Sequence, residues 1–178
     1  MKRGKKSGQV WVETVVYTLI AFLIIGFVLS YAKPHVNKLQ DKLVLEQSLN
    51  IMQKLDDIFA EIVEGGYGNQ RNLEINMKKG SLRLDCENDQ IVFEMEGLYQ
   101  YGENLETYEE GNYIFYVKQL GDEFFTNITR SYVNYNLTFQ ETDELKTIPP
   151  STVTRRLLII NQGKDSNNNI IINMNLIS

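Results

Sequence analysis

The chain has one cysteine and one histidine in 178 residues, and each scarcity removes a class of chemistry. With Cys86 alone, no intrachain disulfide and no cysteine-based metal site can form. With His35 alone, just past a long apolar run, no Ser-His or Cys-His pair and no His-rich zinc site can be assembled. No phosphate-cradling glycine loop occurs either. The expectation is a protein that is not an enzyme and that holds no cofactor and no metal. Basic residues are thin beyond the N-terminus. Lys2, Arg3, Lys5 and Lys6 take four of the 18 Lys and Arg residues, leaving 14 against 23 acidic ones, a net of −9. So acidic a remainder argues against nucleic-acid binding, which needs a basic face.

What is present is organised along the chain. A hydrophobic fraction of 43% is that of a globular protein and excludes global disorder. Residues Val10 to Ala32 form an apolar run of 23 residues that contains one charge, Glu13. About 20 such residues cross a bilayer as a helix. The basic cluster ahead of the run would stay cytoplasmic and place the C-terminal part outside. A secretory signal has its small-residue cleavage site after the apolar region. Here the small residues, Ser7 and Gly8, come before it, so cleavage there leaves the apolar helix on the mature chain. A lone carboxylate in a spanning segment costs roughly 2.5–3.5 kcal/mol on insertion scales and marks a functional position. A new α-amino group at Gln9 would supply the missing cation. The plainer alternative is a signal anchor with Glu13 among the headgroups.

The string KKSGQVWVETVVYTLIAFLIIGFVL resembles the N-terminus of archaeal type IV pilins with a class III signal peptide. The resemblance covers residues 3–45. It implies cleavage between Gly8 and Gln9 by a prepilin peptidase, with Glu13 at the fifth mature position and with Gln9 and Glu13 as assembly residues. The chain departs from the family pattern at Trp11, where Ser or Gly is common, and at Tyr17, where Leu is common. The family implies single-pass anchoring in the cell membrane with the C-terminal domain outside. Assembly machinery then builds identical or related subunits into a surface filament with apolar helices at its core. A non-assembling, membrane-anchored surface protein, whose β domain binds a ligand or stiffens the envelope, is the alternative.

Beyond Pro34, which should kink the helix without ending it, apolar residues fall into a helical stripe. They are Val36, Leu39, Leu43, Leu49, Met52, Leu55, Phe59 and Ile62. Polar residues, among them Asp41 and Asp57, fill the other face, and Asp56-Asp57 reads as a surface pair. A helix from about residue 10 to 63 should end at Gly65-Gly66-Tyr67-Gly68. From residue 72 the period becomes two. Alternating runs stand at 72–77, 81–86, 91–95, 112–119, 131–140, 152–160 and 170–177, and Tyr99–Gly111 reads as a solvated loop. The fold class is therefore α+β: a long N-terminal helix, then an antiparallel β-sheet or β-sandwich. The divisions are a basic leader 1–8, a transmembrane and assembly helix 9–32, an amphipathic continuation 33–64 and an extracytoplasmic β domain 70–178.

Two sequons, at Asn127 and Asn136, are candidate glycosylation sites. Alternation would turn Val133, Tyr135, Leu137 and Phe139 inward and Asn134, Asn136 and Thr138 outward; an unmodified polar strand face is the other reading. Asp165 to Asn169 begins like a calcium loop, but Ile170 stands where glycine is needed and Leu176 where a bidentate Glu is needed. A hairpin loop is expected there, and Cys86 should be a buried, inert thiol.

Overall fold

The computed structural model describes residues 6–177, with side chains from Val10 onward. The basic residues Lys2, Arg3 and Lys5 lie outside the described residues. The fold is α+β. One helix, α1 (Lys6–Glu64), is followed by ten strands, and among the described residues no second helix occurs. The chain divides into two compact units, Met1–Leu39 and Gln40–Ser178. In the first unit the helix runs through Pro34, which cannot donate to the carbonyl of Ser30.

In the second unit, the helical residues from Gln40 carry a stripe at spacings of four and three. Asp41, Leu45, Ser48, Met52, Leu55, Phe59 and Ile62 are all buried. This corrects the expected stripe at its start. Leu43 is 62% exposed, and Val36 and Leu39 in the first unit are exposed as well. The buried row runs through Leu45 instead, one helix face over. Asp41 was expected on the polar face, yet only 4% of it is exposed. Its carboxylate accepts from Lys79 Nζ and, at 2.6 Å, from the Leu98 amide. Gly97 makes room for it, because a Cβ there would stand 2.5 Å from Asp41 Oδ2.

The helix stops where glycine allows it. Gly65 N–H still donates to the Glu61 carbonyl, and Gly66 then turns to a φ of 81°, the left-handed cap. The buried Asn161 side chain donates to the Ile62 carbonyl at 3.0 Å, filling one acceptor that a helix end leaves open.

The strands are β1 (Gln70–Ile75), β2 (Ser81–Asp85), β3 (Gln90–Gly97), β4 (Thr107–Glu110) and β5 (Tyr113–Leu120). They continue as β6 (Glu123–Ser131), β7 (Tyr135–Phe139), β8 (Lys146–Ile148), β9 (Arg155–Lys164) and β10 (Ile170–Ile177). They form two sheets, a four-stranded one in the order β1-β9-β10-β7 and a six-stranded one in the order β4-β5-β6-β3-β2-β8. All pairs are antiparallel except β7 with β10. Cross-strand register lines up the core. In the larger sheet Phe115, Ile128, Phe93, Leu82 and Ile148 stand side by side on five strands, all essentially buried. In the smaller sheet Leu73 pairs with Leu157, and Met174 with both Ile159 and Phe139. These residues and the helix stripe form one hydrophobic cluster. Burying a Leu, Ile, Phe or Met side chain is worth about 1.5–3 kcal/mol, so this shared core is what holds the unit together.

Three strands depart from the expected pattern. β6 was not foreseen, because its buried positions are Thr126 and Ile128 while Phe124 and Phe125 are both only half-buried. β4 lies in the stretch expected to be a solvated loop; it has one inward residue, Tyr108, among Thr and Glu. β8 is only three residues long. The run at 131–140 also splits. Tyr135 N–H closes a turn onto the Tyr132 carbonyl. That turn throws Val133 out to 84% exposure and buries Tyr132 in its place.

Cys86 is buried, as its alternation with Leu84 and Leu82 implies. Burial first, and the neighbouring Asp143 next, push its thiol up to about 12. At pH 8 a maleimide should therefore modify the native chain at least roughly a hundredfold more slowly than the urea-unfolded chain, since the thiolate is the nucleophile. Equal rates in the two states would show that this packing is wrong.

Candidate membrane and assembly segment

From Val10 the helix carries a stretch long enough and apolar enough to cross a membrane, and none of it is buried inside the protein. Trp11, Phe22, Phe27 and Tyr31 are 66–77% exposed. A monomer in water rarely exposes contiguous apolar patches larger than a few hundred Å². Trp11 and Tyr31 stand twenty residues apart, about 30 Å of helix, which matches the hydrocarbon thickness of a bilayer. Tryptophan and tyrosine are residue types that favour membrane–water boundaries. The Tyr31 and His35 rings also lie 4.7 Å apart, tilted by 34°, and the His35 ring contacts the Tyr31 carbonyl through Nδ1 at 3.1 Å. Neither Trp11 nor Tyr31 was singled out from the sequence as a boundary ring, although an aromatic near each end of an apolar run is the signal that could have found them.

The polar groups inside the segment are mostly satisfied within the helix. Thr14 Oγ1 donates to the Val10 carbonyl and Thr18 Oγ1 to the Thr14 carbonyl. Glu13 Oε1 accepts from the Tyr17 hydroxyl at 3.3 Å, one turn on. Gly8 and Gln9 fall in the first turns of α1, and their side chains lie outside the described ones.

The sequons sit in the second unit. Asn127 is on β6 and Asn136 on β7, and both are half-buried. The nitrogen that a glycan would take is engaged in each, with Glu94 Oε1 at 3.4 Å and with Asp165 Oδ2 at 3.3 Å. Thr138, expected outward, is buried and donates to Asn173 Oδ1. The loop at Asp165 closes as an Asx turn, Oδ1 accepting the Asn167 and Asn169 amides. Both Asp165 oxygens are thus engaged, Oδ1 by the hairpin's own amides and Oδ2 by Asn136 of β7.

Two features of the second unit escaped the sequence reading. One is Asp56, which is not a surface residue. It accepts from the Tyr113 and Tyr132 hydroxyls, each at 2.7 Å, and from Arg130 Nε at 3.2 Å. Arg130 stands on the inner face of the larger sheet, between Tyr113 and Ile91 in register. Burial first, and Asp56 next, push both tyrosine hydroxyls above the ordinary range. The other is an open cavity of about 610 Å³ beside Tyr99, Tyr101 and Tyr108, with Glu46, Glu103 and Glu110 on its rim. Tyr101 and Tyr108 stack in parallel on Phe115 at 4.9 and 5.1 Å. The Tyr108 hydroxyl is buried there without a hydrogen-bond partner among the described residues.

No family model matches the chain, and no curated protein and no solved structure does either.

Proposed function

We propose that the chain is a structural, pilin-like subunit of an archaeal type IV pilus-like surface filament, anchored in the membrane before assembly. The observation that carries this reading is an apolar helical run, Val10 to Ala32, in which no described side chain is buried and which holds a single charge, Glu13. A plain anchor needs no carboxylate there; a helix that must pack against copies of itself in one register gains from one. In this reading a prepilin peptidase cuts between Gly8 and Gln9, and the new Gln9 amine is the cation for Glu13. Asn127 and Asn136 are the glycan-acceptor candidates on the external domain. Catalysis, cofactors and nucleic acid play no part.

The test is N-terminal sequencing of the chain from its native cell, together with electron microscopy of that cell. Mature protein should begin at Gln9. Glu13→Val should leave the domain folded and the protein in the membrane but lower filament yield at least about tenfold, because an unpaired buried charge typically costs about 3–5 kcal/mol. Normal filaments from Glu13→Val in cells lacking the wild type would defeat the reading.

The tyrosine-lined cavity favours a second reading, a non-assembling, membrane-anchored surface protein that binds a ligand. An intact N-terminus and no filaments would select it.

A further inference from the structure

Glu13 needs a hydrogen-bond donor as well as a cation. In an apolar surrounding a carboxylate without donors is costly even where its charge is balanced. Among the described residues of the first unit, Tyr17 is the side chain that donates to it, at 3.3 Å. The geometry follows from the helix. Side chains lean toward the N-terminus, so a long side chain at i+4 covers the residue one turn before it. The neighbouring hydroxyls are committed elsewhere, since Thr14 and Thr18 donate to backbone carbonyls. Between Val10 and Ala32 the sequence offers no Lys or Arg.

We propose that Tyr17 is the positioning residue of Glu13: its hydroxyl holds the carboxylate along the helix from within the same subunit. This rests on the reading of Glu13 as the assembly residue. A hydroxyl orients the carboxylate without neutralising it. The charge therefore stays available to a cation brought by a second subunit, and the side chain is already ordered when that cation arrives. Tyr17 thus lowers the cost of carrying Glu13 in the membrane before assembly, and narrows the angle from which a neighbour can pair with it afterwards.

The hydrogen bond is read directly by NMR of the full-length chain, labelled with ¹³Cζ-tyrosine and held in phospholipid bicelles. Of the ten tyrosine signals, the one lost in Tyr17→Phe is that of Tyr17. Glu13→Val should move this signal by more than its line width and leave the other nine in place. In cells, Tyr17→Phe should lower filament yield about fivefold, the worth of one hydrogen bond of ordinary strength, and should cause no further loss in the Glu13→Val background, where no acceptor is left. Phenylalanine keeps the ring, so the loss reports the hydroxyl and not packing. A Tyr17 signal indifferent to Glu13→Val overturns the proposal, as does normal assembly of Tyr17→Phe or an equal loss in both backgrounds. If the signal responds but wild-type cells carry no filaments, the Tyr17–Glu13 pair stands and the filament reading falls.

Discussion

Replacing Asp56 with alanine should destabilise the β-rich unit by about 3 kcal/mol, the low end of what removing one partner of a buried ion pair costs. The low end applies because about a quarter of each side chain still reaches solvent: 22% for Arg130 and 23% for Asp56. The loss comes less from the bond than from what is stranded. Arg130 would keep its charge on the inner face of a sheet, and the hydroxyls of the buried Tyr113 and Tyr132 would lose their acceptor. Urea unfolding in detergent, followed by the near-ultraviolet dichroism of the tyrosines, would show the midpoint fall at unchanged slope. Asp57→Ala, one residue on and exposed, should stay within about 0.5 kcal/mol of wild type. Replacing Asp56 and Arg130 together by apolar residues should recover part of the loss, because no charge is then left alone. An Asp56→Ala midpoint equal to wild type would remove Asp56 from the set of residues that hold the helix to the sheet.

Asp56 also marks the limit of what the sequence discloses. Elements set by neighbours in the chain are legible. The helix up to its glycine stop, and the strands β1, β2, β3, β5, β9 and β10, follow from a change of period and from turn residues. Their inward side chains, Leu73, Ile75, Leu82, Leu84, Ile91, Phe93, Met95, Ile172 and Met174, are the ones that alternation selects. Interactions across long separations are not legible in this way. Asp41 and Asp56 look like members of a solvated helix face, since their partners Lys79, Leu98, Tyr113, Arg130 and Tyr132 lie 38 to 76 positions away. β6 escaped because its core face carries Thr126 and Arg130, which meet polar partners and do not advertise burial. Glu13 stood out as a lone charge. Its contact with Tyr17 is the ordinary i,i+4 neighbour relation of a helix and could have been read from spacing alone.

The same cluster should make the unit fail in alkali, and the sign follows from linkage. Tyr113 and Tyr132 are 8% and 4% exposed, and burial with the adjacent Asp56 carboxylate holds both phenols protonated well beyond the ordinary tyrosine value of about 10. Below that value both the folded and the unfolded chain keep these protons, and the two tyrosines add no pH dependence. Above it the unfolded chain releases them while the folded chain does not, so stability falls as pH rises. Each retained proton costs about 1.4 kcal/mol per pH unit. Two of them acting from pH 10 to 12 amount to roughly 5 kcal/mol, the scale of a whole domain's stability. Cys86, raised from 9.0 to about 12 by burial and then by Asp143, begins to contribute one unit earlier. Stability measured at a series of pH values should therefore be flat with respect to these groups up to about pH 9 and fall steeply beyond. Tyr132→Phe should be weaker at neutral pH, since Asp56 loses a donor, yet show a shallower alkaline decline by close to one proton. An alkaline slope unchanged in both Tyr132→Phe and Tyr113→Phe would mean that these phenols ionise freely in the folded chain.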